Sequence, residues 1–156
     1  MGKRQREGPP MSGTLYVLNG PNLNLLGVRE PHLYGNTTLS QVEELCRRVS
    51  LELGFECEFR QTNHEGVMVD WVQEAREKAA AIAINPAGLS FRSIPLLDAL
   101  KTVEQPIAEV HVTNIHRRDT LYQHSLVSLA ATGVICGFGA FGYELAIRAL
   151  ANRLAH

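Results

Sequence analysis

At 156 residues, with 45% hydrophobic and 20% charged side chains, the chain has an ordinary globular composition and the length of a single domain. Its formal net charge of −1 supplies no general attraction to nucleic acid or to an anionic membrane. No stretch approaches the ~18 consecutive apolar residues of a membrane helix, so a soluble, cytoplasmic protein is expected.

Residues 1–12 carry Lys3, Arg4 and Arg6 but no apolar core, which predicts a disordered tail rather than a secretory signal, with Met11 as an alternative start. Residues 13–156 are expected to form one domain. Thr14–Leu18 is the first strand. The seventeen residues that follow, Asn19–Gly35, interleave four leucines and a tyrosine with Gly and Pro. Unstructured connections longer than about 12–15 residues are usually functional or disordered, and the apolar content argues against disorder. This loop is predicted to be an active-site lid.

Hydroxyl caps at Thr37–Gln41 precede Val42, Leu45, Cys46, Val49 and Leu53 at helical spacing, and Gly54 ends that helix. Phe55–Gln61 alternates as a second strand. A second helix begins after Asn63–Gly66, with Glu65 in the first turn where the helix dipole favours it. Ala80–Ile84 is short and nearly all apolar, as in a strand buried on both faces. A third helix is expected over Ser93–Lys101, with Pro95 tolerated in its first turn. Ile107–Val112 is a fourth strand. A polar loop, Thr113–Asp119, and one helical turn within Thr120–Ser128 lead to a fifth strand, Gly133–Cys136, and a last helix, Gly142–Leu154. Five short strands alternating with helices predict an α/β domain with a parallel sheet covered on both faces. In such folds ligands sit beyond the carboxyl ends of the strands, where the loops after strands one, three and four converge.

Cys46, Cys57 and Cys136 are odd in number and lack CxxC spacing, so they read as buried apolar thiols in a reducing compartment. His111 and His116 lie five apart across a strand end, and no zinc-ligand spacing is present, so no metal is expected. Gly137–Gly142 matches GxGxxG, but only fourteen residues follow it. That leaves no room for the second strand and acidic residue of a dinucleotide site, and a tight turn with close helix–strand packing is predicted instead.

Two groups are candidates for chemistry. An unperturbed tyrosine phenol ionises near pH 10, so Tyr34 needs a cation within about 4–6 Å to serve as a base, and Arg29 on the same loop can supply it. The plainer alternative is a packing ring with Arg29 in solvent. Glu109 and His111 share one face of a period-two strand, so the carboxylate can orient the imidazole as a general acid. A structural histidine bonded to nearby backbone is the alternative. The backbone of Val112 and Thr113, where the chain leaves the strand, can hold an anion such as a carboxylate.

Together, Asn19–Gly27, Arg29–Gly35, Gln61–Gly66, Asn85-Pro86, Glu109–His116 and Gly137–Tyr143 resemble type II 3-dehydroquinate dehydratase, in order and at family spacing over about residues 13–154. The resemblance implies a flavodoxin-like three-layer sandwich with a five-stranded parallel sheet, a homododecamer built from trimers, a small-molecule substrate and no metal or organic cofactor. It also implies roles. Tyr34 takes the proton alpha to the substrate ketone and Arg29 keeps it ionised. Asn22 stabilises the enolate through a water. His111 protonates the departing hydroxyl with Asn85 helping to place it, and Val112 and Thr113 bind the carboxylate. Arg118 is a second lid arginine, and Asp98 reaches a neighbouring subunit's site. Two positions depart from the family: Phe91, followed by Arg92, stands where a His is usual, and Tyr122 where a second Arg is usual. In the family those side chains contact ring hydroxyls, and an unpaired hydroxyl typically costs about 1–3 kcal/mol. Besides 3-dehydroquinate, then, a related hydroxylated cyclohexanone carboxylate is an alternative substrate, and a non-catalytic small-acid-binding assembly protein is an alternative class.

Overall fold

The computed structural model describes residues 12–156, so residues 1–11 of the expected tail lie outside it. Five strands, β1 (Thr14–Asn19), β2 (Glu56–Gln61), β3 (Ala81–Asn85), β4 (Ile107–His111) and β5 (Gly133–Cys136), form one all-parallel sheet in the order β2-β1-β3-β4-β5. The helices are α1 (Pro31–Tyr34), α2 (Leu39–Glu52), α3 (Glu65–Lys78), α4 (Ile94–Lys101) and α5 (Phe141–Ala155). Strand order reverses beside β1: the chain leaves it toward β2, then crosses back to pair β3 on its other side.

Strand alternation divides the core in two. Leu15, Val17, Ala81, Ala83, Ala108 and Val110 face α2 and α5, meeting Val42, Val49, Tyr143 and Ile147. Tyr16, Leu18, Ile82, Ile84 and Ile107 face α3 and α4, meeting Met68, Val72, Leu96 and Leu100. Burying a Leu, Ile or Val side chain contributes about 1.5–3 kcal/mol, so the two layers hold the sheet rigid between them.

Local chemistry sets the helix ends. Thr38 caps α2 by accepting from the Gln41 amide, while the Gln41 side chain accepts from the Thr38 amide, a complete capping box. Ser93 caps α4 by accepting from the Leu96 amide and also donates to Glu65 at the start of α3 (2.7 Å). Gly142, in the first turn of α5, lies so near β4 and β5 that an added Cβ would meet Val110 at 3.4 Å and Ile135 at 3.7 Å. The expected close helix–strand packing is present.

Three expectations need adjusting. The Asn19–Gly35 loop is not without structure: it contains a 3₁₀ turn at Leu23–Leu25 and the one-turn helix α1. Thr120–Ser128 holds not one turn but a 3₁₀ turn at Thr120–Tyr122, with another beginning at Val127. Of the cysteines only Cys46 is buried; Cys57 and Cys136 are half-buried, because they sit on the two edge strands, which lack a second neighbour.

Polar groups buried at the carboxyl edge tie the strands together. The Tyr143 hydroxyl donates to Asn19 Oδ1 at the end of β1 (2.7 Å) and accepts from Asn85 Nδ2 at the end of β3 (2.9 Å). Burial pushes this phenol's ionisation well above its usual range, so the hydroxyl stays protonated and can donate. In β4, Glu109 is wholly buried and accepts from Ser128 Oγ at 2.7 Å and from His111. Burial penalises its charge, but these bonds outweigh that cost and hold the carboxyl below the usual range.

Two outcomes follow for stability. Tyr143→Phe leaves Asn19 and Asn85 unsatisfied in the interior, costing about 1–3 kcal/mol, which lowers the melting temperature by about 2–4 °C per kcal/mol; an unchanged melting curve would show that the hydroxyl ties nothing. Because the folded-state ionisation of Glu109 is depressed, its stabilising contribution is complete above the unfolded value of about pH 4.3 and fades as pH falls through the lower folded value. Ser128→Ala should therefore cost about 1 kcal/mol in urea unfolding at pH 7 and progressively less below about pH 4. A deficit independent of pH would separate Ser128 from the Glu109 charge.

Candidate active site

One cavity of about 240 Å³ opens beyond the carboxyl ends of β1, β3 and β4. Ten of the twelve side chains singled out from the sequence line it: Asn22, Arg29, Tyr34, Asn85, Phe91, His111, Val112, Thr113, Arg118 and Tyr122. The other two lie elsewhere. Glu109 sits behind His111 rather than on the wall, and Asp98 is exposed on α4, away from this chain's own cavity. Arg92, next to Phe91 in the chain, is also exposed and does not line the cavity.

The β1 loop is anchored at its root and pinched at its middle. The Gly20 amide donates to the Asn85 carbonyl (2.8 Å), and the Asn22 amide donates to Asn63 Oδ1 in the loop after β2 (2.9 Å). Leu23 and Leu26 are buried in the α2/α5 layer. At Gly27, with φ +87°, an added Cβ would lie 2.8 Å from the Asn36 carbonyl oxygen, so only glycine lets the chain fold back on itself here. Residues 28–35 are thereby held as a compact flap that carries Arg29 and, from α1, Tyr34.

Two guanidinium groups lie over the Tyr34 ring. The Arg29 carbon Cζ is 5.4 Å from the ring centroid and the Arg118 Cζ is 5.7 Å from it. Both distances fall within the range of cation–π attraction. Sequence spacing pointed to Arg29, whereas Arg118 arrives from the loop after β4, where Gln123 Nε2 donates to its carbonyl at 2.6 Å. Arg29 is shared with Glu30, 3.4 Å away, and both are nearly half exposed, so their ion pair contributes little.

His111, the last residue of β4, lines the same cavity and bonds through Nε2 to Glu109. The alternation rule is realised here: the pair is two residues apart, buried, and on one face. Asn85 completes this side, its Oδ1 accepting from the Ala87 amide (3.2 Å) while Nδ2 goes to Tyr143. Phe91, at the end of the 3₁₀ turn Ala87–Phe91, stacks on the His111 ring with centroids 6.3 Å apart and 29° between planes. It also meets Tyr122 edge to face at 5.5 Å.

Among the described residues no three His, Cys, Asp or Glu side chains gather as a metal-holding cluster, and His116 is exposed while His111 is buried. No helix among them is long and apolar enough to cross a membrane.

Comparison with known proteins points in one direction. The dehydroquinase class II family model matches residues 13–151. A 3-dehydroquinate dehydratase of Phenylobacterium zucineum is 56% identical over 142 residues, covering 91% of this chain and 98% of that protein. 3-dehydroquinate dehydratase 1 of Agrobacterium fabrum is 52% identical over the same span lengths. The crystal structure of type II dehydroquinase from Propionibacterium acnes superposes with a TM-score of 0.88 at 42% identity, over 92% of this chain and 99% of that one. These matches, with the doubly wound sheet and the cavity at its switch point, establish that the chain belongs to the dehydroquinase class II family.

Proposed function

We propose that this protein is a hydro-lyase that removes water from 3-dehydroquinate to give 3-dehydroshikimate. The observation that carries the reading is the pairing of opposites across one small cavity. A tyrosine with two arginines over its ring shares that cavity with a histidine backed by a buried carboxylate. The relatives' shared name supplies the substrate.

In this reading Tyr34 is the base. The positive charges of Arg29 and Arg118 stabilise negative charge on its phenolic oxygen, which accepts the proton alpha to the substrate ketone. The electron pair of the broken C–H bond passes into an enolate, stabilised by Asn22 through a water. It then forms the new C=C bond as the C–O bond to the leaving hydroxyl breaks. His111 delivers a proton to that oxygen, so water departs in an anti sense and a conjugated enone acid remains. Glu109 orients the imidazole and balances its positive charge, and Asn85 helps place it. The Val112–Thr113 backbone receives the substrate carboxylate. Each proton is moved by a side chain of the cavity, and returning one from Tyr34 to His111 resets the enzyme.

Self-association fits the surface as well. Ile94, Leu129, Phe138 and Phe141 are large apolar side chains more than half exposed, as expected of faces covered by other copies of the chain. Asp98, exposed on α4, then serves a neighbouring subunit's cavity within a closed assembly of trimers.

Purified protein offered 3-dehydroquinate should show rising ultraviolet absorbance from the enone. Tyr34→Phe should lower kcat by about 10²–10⁴-fold, the usual scale for loss of a general base, with an unchanged melting temperature. A near-normal rate in that variant would remove Tyr34 from the role.

A further inference from the structure

We propose that Tyr122, backed by Phe91, is a positioning residue that holds Arg118 over the Tyr34 ring; the inference rests on the reading of Tyr34 as base. Among the described residues no acidic side chain pairs with Arg118, in contrast to Arg29 and its partner Glu30. What does touch the Arg118 guanidinium is aromatic. Its Cζ lies 4.1 Å from the Tyr122 ring centroid, closer than any other cation–ring pair among the described residues, and 5.7 Å from that of Tyr34. A guanidinium is flat and weakly hydrated, so a ring face can hold it in one plane without neutralising its charge. A carboxylate in that place would cancel the charge that the phenolate needs. An aromatic platform leaves it intact.

Tyr122 is itself held. It meets Phe91 edge to face at 5.5 Å and 83°, a favoured aromatic geometry, and Phe91 stacks on His111. The contacts therefore run unbroken from Tyr34 through Arg118, Tyr122 and Phe91 to His111, spanning the cavity from base to acid. The two positions where this chain departs from the family pattern touch each other at the centre of that chain of contacts. They read as one change rather than two: a pair of hydrogen-bonding side chains exchanged for an aromatic brace that fixes the remaining arginine.

The test is a double-mutant cycle on Tyr122→Leu and Arg118→Gln, with Tyr122→Phe as the conservative variant. Steady-state kinetics with 3-dehydroquinate and urea unfolding are measured on each protein. Tyr122→Leu should lower kcat about tenfold, equivalent to ~1.4 kcal/mol, with KM changed less than about threefold. Tyr122→Phe, which keeps the ring, should recover most of that loss. In the Arg118→Gln background Tyr122→Leu should have almost no further effect on kcat. Urea unfolding should give a Tyr122–Arg118 coupling of about threefold or more in the unfolding constant, as expected for a cation–π contact. Phe91→Leu should move kcat in the same direction by less, and stands in if Tyr122→Leu fails to fold. The inference is overturned if the kcat losses add, if Tyr122→Phe is as slow as Tyr122→Leu, or if coupling appears in unfolding with kcat untouched, which is a purely structural stack. An active Tyr34→Phe would instead overturn the assignment of the base. A silent Tyr122→Leu beside an inactive Tyr34→Phe would overturn this inference alone.

Discussion

The site depends on a close crossing of two backbones. Where β1 and β3 end, the loops leaving them pass so near each other that a Cβ at Gly20 would lie 2.3 Å from the Pro86 carbonyl oxygen and 2.7 Å from its carbon. Those atoms are backbone and cannot rotate aside, so position 20 admits only a hydrogen. The Gly20 amide is thereby brought to the Asn85 carbonyl, and Tyr143 from α5 locks both strand ends from beneath through Asn19 and Asn85. The flap on one loop and the Asn85–Phe91 wall on the other are thus fixed relative to each other. Strand order reverses here, and the crossing lies at the root of the cavity, whose lining includes its chain neighbours Pro21, Asn85 and Ala87.

Above that crossing the electrostatics are divided. The His111 side draws its negative charge from a carboxylate inside the sheet, where Ser128 and His111 satisfy it. The Tyr34 side draws positive charge from Arg29 on the β1 loop, half exposed and paired with Glu30, and from Arg118 on the β4 loop. A buried ionic group is costly unless fully paired, and the Glu109–His111 pair is built into β4 itself. The Tyr34 end is assembled from the flap and the β4 loop together. Aromatic contact supplies the ordering that an ion pair would otherwise give. Backbone strain is concentrated in the same region: of the non-glycine residues with positive φ among the described ones, Asn22 and Ala87 line the cavity and Glu30 opens α1. Such conformations persist where surrounding structure dictates them, and they cluster at functional sites.

Much of this was legible in the residues. Strand positions followed from apolar runs bounded by Gly, Pro and Asn, and Gly133–Cys136 was located to the residue. The Glu109–His111 pair followed from strand alternation alone, because a period of two leaves no choice of face. The length and apolar content of Asn19–Gly35 marked the flap, although its internal turns did not show, since four-residue helices carry too little periodicity. What local spacing could not reveal was long-range. Tyr143 is over fifty residues from Asn85, and nothing near it in the chain announces a buried hydroxyl tie. Arg118 and Tyr34 meet only through folding, as do Phe91 and Tyr122, so motif resemblance suggested a second lid arginine but not what holds it.

In the proposed function labour is divided: Tyr34 makes the enolate and His111 lets the hydroxyl leave. Deuterium exchange separates the two steps. 3-Dehydroquinate is incubated in D₂O with Tyr34→Phe or with His111→Asn, and the unreacted substrate is recovered for mass spectrometry. His111→Asn, which keeps Tyr34, should incorporate deuterium alpha to the ketone above the enzyme-free background while losing water slowly. Tyr34→Phe should incorporate none above that background. Exchange in Tyr34→Phe as fast as in His111→Asn would contradict that division.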